Sequence, residues 1–157
     1  MYNSFFFQNI SLPTFFSQIF TTFEYNLIGI CDKICDCNKE KFSYKDLRGS
    51  DLERASIYLK RTLNIDISKY DDWKLIVQFQ SIRNKIVHGH CTFKKGADFQ
   101  KTLESYKGVI TNGSDYEHRI FSFKTTDIHV DFIQLIHRCF SKLFEDIYQY
   151  YLLINHS

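Results

Sequence analysis

Residues 73–91 read WKLIVQFQSIRNKIVHGHC, and the apolar residues Leu75, Phe79, Ile82 and Ile86 fall four, three and four apart. That repeat marks one face of an amphipathic helix. At about 100° per residue, Leu75, Ile82 and Ile86 lie within roughly 60° of Phe79 on one side and Ile76 about 60° away on the other. Arg83 falls between them, inside the apolar face. Gln80, Asn84 and His88 each follow the last by one turn and stack along one edge. Lys74, Gln78, Ser81 and Lys85 are left for water.

A guanidinium among apolar side chains has to be paired or has to meet an anion, because an unpaired buried charge is strongly unfavourable. Two readings are open. In one, Arg83 pairs with a carboxylate such as Glu24, Glu145 or Asp146 on a neighbouring helix, and His88 is an ordinary last-turn residue before a Gly89 cap. The protein is then a non-catalytic interaction or regulatory module. In the other, Arg83, Asn84 and His88 converge on a phosphate. The imidazole changes charge nearest neutral pH and suits acid–base work. The guanidinium offers forked donors that match phosphate oxygens, and the amide can orient the imidazole or bind a phosphate oxygen.

Arg83 and Asn84, three further residues and then His88, at a helix end and followed by Gly89, resemble the Arg-x4-His motif of the HEPN superfamily, where a polar residue often follows the Arg. The resemblance implies a small helical bundle and a metal-independent endoribonuclease of the toxin/antitoxin or antiphage defence type, with no cofactor. It also implies a homodimer that brings two copies of the motif to one cleft, since one histidine cannot easily serve both ends of an in-line displacement. Some HEPN toxins carry Tyr two residues after the His, where an antitoxin nucleotidyltransferase modifies it. Here that position is His90, which leaves other antitoxin or defence partners as the expectation. Just past the motif, His90, Phe93, Lys94 and Lys95 offer a stacking ring and positive charge for RNA, or equally a solvated loop.

Composition bounds the rest. A chain of 157 residues is expected to form one domain, 1–157, with room for a proper core. Sixteen Phe and ten Tyr point to a Phe-rich core or a large oligomer contact. A net charge of +2 gives no global field that would announce a nucleic-acid binder, so any RNA affinity has to be local. Five cysteines, an odd number without disulfide-scaffold spacing, read as reduced thiols in the cytoplasm. Cys31, Cys35 and Cys37 lack the usual C-x2-C pair of a zinc site. A metal cluster of His88, His90 and Cys91 has no identified fourth ligand, so no metal is expected. The N-terminal stretch, broken by Asn, Gln, Ser and Pro, is not a membrane span.

Along the chain, Ser11 and Pro13 provide a cap and first-turn proline for a helix to about Ile34, with the stripe Phe16, Phe20, Phe23, Leu27, Ile30 and Ile34. The polar segment from Cys31 to Gly49 reads as a loop with one helical turn near Tyr44 to Leu47. Ser50 and Glu53 form a capping box for a second helix with Leu52, Ala55, Leu59 and Leu63 inward. Asp71 and Asp72 suit the start of the motif helix. Runs at Val109 to Thr111 and His118 to Phe123 flank an Asn112-Gly113 turn signal, which predicts a small hairpin. Thr126 opens a last helix whose stripe is Phe132, Ile136, Phe140, Leu143, Ile147, Tyr151 and Ile154. The expected architecture is all-α: a four-helix bundle with a β-hairpin excursion between the third and fourth helices.

Overall fold

A computed structural model of the chain describes residues 6–39, 42–89, 91–96, 98–113 and 118–155. It is mostly helical, with a small three-stranded antiparallel sheet. In order come a π-helical turn Phe7–Ser11, α1 Leu12–Asn38, a 3-10 turn Tyr44–Asp46, α2 Asp51–Leu63, a 3-10 turn Ile67–Lys69, α3 Trp73–Gly89, β1 Thr92–Lys94, α4 Asp98–Glu104, β2 Val109–Asn112, β3 His118–Phe123 and α5 Asp127–Asn155.

The entry to α1 differs from the expected Ser11 cap. Ser11 ends the π-helical turn, and the Leu12 N–H reaches back five residues to the Phe7 carbonyl. Pro13 has no N–H, and its ring crowds the carbonyl four residues before it; a wider turn relieves that crowding. At its other end α1 runs past Ile34 to Asn38, so Cys31, Cys35 and Cys37 lie on helix rather than loop. No Gly or Pro interrupts residues 30–38, and polarity alone does not end a helix.

Sequence and structure agree on α2. The Ser50 N–H donates to Glu53 Oε2 at 2.8 Å and the Glu53 N–H to Ser50 Oγ at 3.4 Å, so each satisfies an orphan donor of the other. Asn64, at φ +57°, closes the helix in the left-handed conformation. The expected inward set is buried, with Tyr58 added to it.

The chain forms two compact units, one gathering Met1–Thr21 with Leu75–Leu135 and the other Thr22–Lys74 with Ile136–Ser157. In the first, Phe16 is fully buried, with the rings of Phe79, Phe123 and Phe132 centred 5.6, 5.7 and 5.5 Å away. The sheet has the order β1-β3-β2. β2 and β3 are the expected hairpin, in register from Val109 opposite Phe123 to Asn112 opposite Ile120. β1 and α4 were not expected. A three-residue strand is too short to show a period of two; it forms because the Phe121 N–H binds the Cys91 carbonyl at 2.9 Å and fixes the chain beside β3.

Within α3 the buried face is turned slightly from the expected one. Ile76, Phe79 and Ile82 are buried and Ile86 is half-buried, whereas Leu75 is 39 % exposed. Three consecutive apolar residues, Leu75 to Val77, leave the first turn of the stripe ambiguous to any sequence count.

His129 is buried to 1 % exposure, and its Nε2 lies 2.8 Å from the Leu12 carbonyl, on which it donates as the neutral tautomer. Phe15 stacks on the ring, while Phe16 and Phe123 meet it edge-on. Burial depresses its pKa below the usual imidazole value, and the carbonyls of Leu12 and Thr126 pull weakly the other way. A folded pKa below the unfolded one means that the unfolded chain binds the proton first. The stability this residue contributes is therefore present above about pH 6.5 and lost as pH falls below it. Melting temperature is expected to fall between pH 7.5 and 5.5, and His129→Gln to flatten that slope; an equal slope in both proteins would remove His129 as the cause.

In the second unit, Phe23 meets Phe140 and Phe42 stacks on Tyr58. Arg138 grips Asp72 with two hydrogen bonds of 2.8 and 3.0 Å. Tyr70 Oη donates to Asp146 at 2.6 Å, and Tyr151 Oη to Asn38 Oδ1 at 2.8 Å. α5 buries Ile128, Phe132, Leu135, Cys139 and Leu143, while Ile136, Phe140, Ile147 and Tyr151 of the expected stripe are half-buried and Ile154 is exposed. Apolar residues cover more than one face of this helix, so two overlapping stripes compete in the sequence.

Gly29 sits within α1, and a methyl added there would meet nothing within 4 Å. Gly29→Ala is expected to stabilise the chain by about 0.5–1 kcal/mol, through helix propensity alone. A denaturant midpoint that does not rise would contradict this.

Candidate functional site

The motif occupies the last turns of α3. Arg83 is half-buried, whereas Asn84, Lys85 and His88 are exposed. Arg83 Nη1 donates to Asn84 Oδ1 at 3.0 Å, which ties the guanidinium to the amide at the surface. The guanidinium is itself partly covered: Arg83 Nε is a buried atom, while Nη1 meets the exposed Asn84. His88 follows Asn84 by one turn on that same edge.

Beyond Gly89 the chain turns at Cys91, whose φ of +61° is the left-handed closing conformation that the sequence suggested for Gly89. The Cys91 N–H donates to the Lys85 carbonyl at 2.9 Å. Cys91 is buried, which pushes its thiol up to about 11. It is therefore protonated at neutral pH and a poor nucleophile or metal ligand.

Four residues after the motif were expected to meet RNA. Phe93 does not fit that expectation: it is 2 % exposed, wedged between Phe99 at 5.7 Å and Phe121 at 6.4 Å. Its place on the inner face of β1 leaves no open ring for a base to stack on. Lys94 and Lys95 are exposed. His90 lies outside the described residues. His118, exposed and directly across from Lys94 in the β1–β3 register, was not singled out from the sequence. Only the strand pairing brings it near; the two residues are far apart in the chain.

All five cysteines are free thiols. Cys31 is buried, Cys35 half-buried and Cys37 exposed, so the three splay around α1; Cys31 is pushed up to about 12 by burial, with Asp32 adding to the shift. Among the described residues no group of three or more His, Cys, Asp or Glu side chains comes together to hold a metal ion. Among them, too, no helix is long and apolar enough to cross a membrane.

Chemically, the end of α3 offers a fixed cation, an amide hydrogen-bonded to it and an imidazole open to solvent on one helix edge. That set can bind an oxyanion and exchange a proton with a group held beside it. No family model, curated protein or solved structure matches the chain.

Proposed function

We propose that this chain is a HEPN-like four-helix-bundle protein that cleaves RNA without a metal, acting in the cytoplasm as a toxin or antiphage defence nuclease. The reading rests on one observation above the others: Arg83 Nη1 bonded to Asn84 Oδ1 on the exposed edge that also carries His88.

In this reading a ribose 2'-hydroxyl attacks the adjacent phosphorus and the 5'-oxygen leaves. His88 takes the proton from the hydroxyl or gives one to the leaving oxygen. Arg83 binds the non-bridging oxygens as charge builds on them, and Asn84 holds the guanidinium in place and adds an amide donor. Two copies of the motif across a homodimer axis would divide the acid and base roles. Lys94 and Lys95 would hold the flanking RNA backbone, and a partner protein would restrain or trigger the activity.

The test is cleavage of a single-stranded RNA by the purified chain in excess EDTA, with the new ends analysed. Products ending in 2',3'-cyclic phosphate or its 3'-phosphate hydrolysis product, formed equally with and without chelator, are expected. Activity that chelation stops, or products ending in 3'-hydroxyl, would replace this reading with a metal-dependent hydrolase.

A further inference from the structure

The unit that does not contain the motif has a groove of about 520 Å³ between α1 and α5. Its walls are Ile30 and Ile34 on one side and Phe144 and Ile147 on the other, with Gly29 and Lys33 along the α1 edge.

The glycine is the informative residue. It lies in the interior of a helix, its backbone is ordinary helix rather than left-handed, and a methyl added to it touches nothing. Neither conformation nor close approach of a neighbour requires glycine here, and alanine would be the better helix former. What the missing side chain does is keep the groove open. The charge of the lining is one-sided as well: among the described residues Lys33 is its one ionic group, with no carboxylate beside it in the lining. The acid next to Lys33 in sequence, Asp32, is held by Lys45 at 3.2 Å. The volume falls in the range of small-molecule sites, about 300–1,000 Å³, which are mainly apolar with a few fixed polar groups.

We propose that this groove binds a single-chain anionic amphiphile, a long-chain carboxylate. The hydrocarbon lies over Gly29 between the isoleucines of α1 and the Phe144–Ile147 wall, and the carboxylate meets Lys33. A concave trough wraps one chain, whereas a bilayer surface presents a plane to the protein.

The experiment is calorimetric titration of the full chain with dodecanoate below its micelle concentration, with dodecanol as the uncharged counterpart. Saturable one-site binding of dodecanoate is expected. Lys33→Gln should weaken dodecanoate about fivefold, the scale of one solvent-exposed ion pair, and leave dodecanol unchanged. Gly29→Leu projects a side chain into the trough and should cost both ligands more than about tenfold. Its helical content and melting temperature should hold, because leucine favours helix over glycine. Absence of saturable binding, or Gly29→Leu binding as well as the parent, would overturn the proposal. Equal loss of the acid and the alcohol in Lys33→Gln would overturn the anionic assignment. Self-association that Gly29→Leu abolishes, without dodecanoate binding, would make the groove a contact between copies instead.

Discussion

His88→Ala is expected to slow RNA cleavage by about 10²- to 10⁴-fold, the usual contribution of a general acid or base, while melting temperature stays within about a degree of the parent. The second half of that expectation follows from exposure: His88 stands in solvent at the end of α3, so its ring contributes little packing to lose. Arg83→Ala is expected to cost about 10²–10³-fold, as loss of one oxyanion donor does, with some stability lost as well because its stem is half-buried. Arg83→Lys separates the two effects. It keeps the charge and much of the stem but removes the fork, so stability should recover more fully than rate. Two outcomes would sink the nuclease reading. One is unaltered cleavage in a folded His88→Ala protein, which would move the chemistry elsewhere. The other is collapse of the fold in both alanine variants, which would make Arg83 and His88 structural and favour an interaction module.

The largest stability effect is expected at Phe16. Truncation to alanine should destabilise the protein by about 3–5 kcal/mol, as for other fully buried phenylalanines. For a chain of this size that corresponds to a melting temperature lower by about 6–20 °C. Phe16 has no exposed surface, and its ring contacts Phe79, Phe123 and Phe132 as well as the edge of His129. It thus joins α1, α3, β3 and α5 within one unit. Phe16→Leu, which keeps most of the apolar volume, should cost much less. A loss below about 1 kcal/mol on truncation would mean that the ring cluster relaxes to fill the space and is not the rigid centre of that unit.

The sequence by itself determined the features that are local. Ser50 and Glu53 name each other's partners within one turn, and both bonds form. The Val109 and His118 runs around the Asn112-Gly113 signal specify a hairpin, and the two strands pair as expected. Phe16, Phe20, Phe23 and Leu27 repeat at helical spacing and all are buried. Tertiary structure decided whatever depends on which face meets a neighbour. α5 is apolar over more than one stripe, and only packing selects Leu135 and Cys139 for the interior over Ile136 and Phe140. Leu75 and Ile76 are interchangeable in a pattern but not against a core. Phe93 looked available for RNA because a short strand carries no periodicity; its pairing to β3 turns the ring inward, and the same pairing sets His118 opposite Lys94. Adjacent positions on a strand face opposite ways, so one register fixes both outcomes, and register is a property of two segments that no single stretch of chain contains.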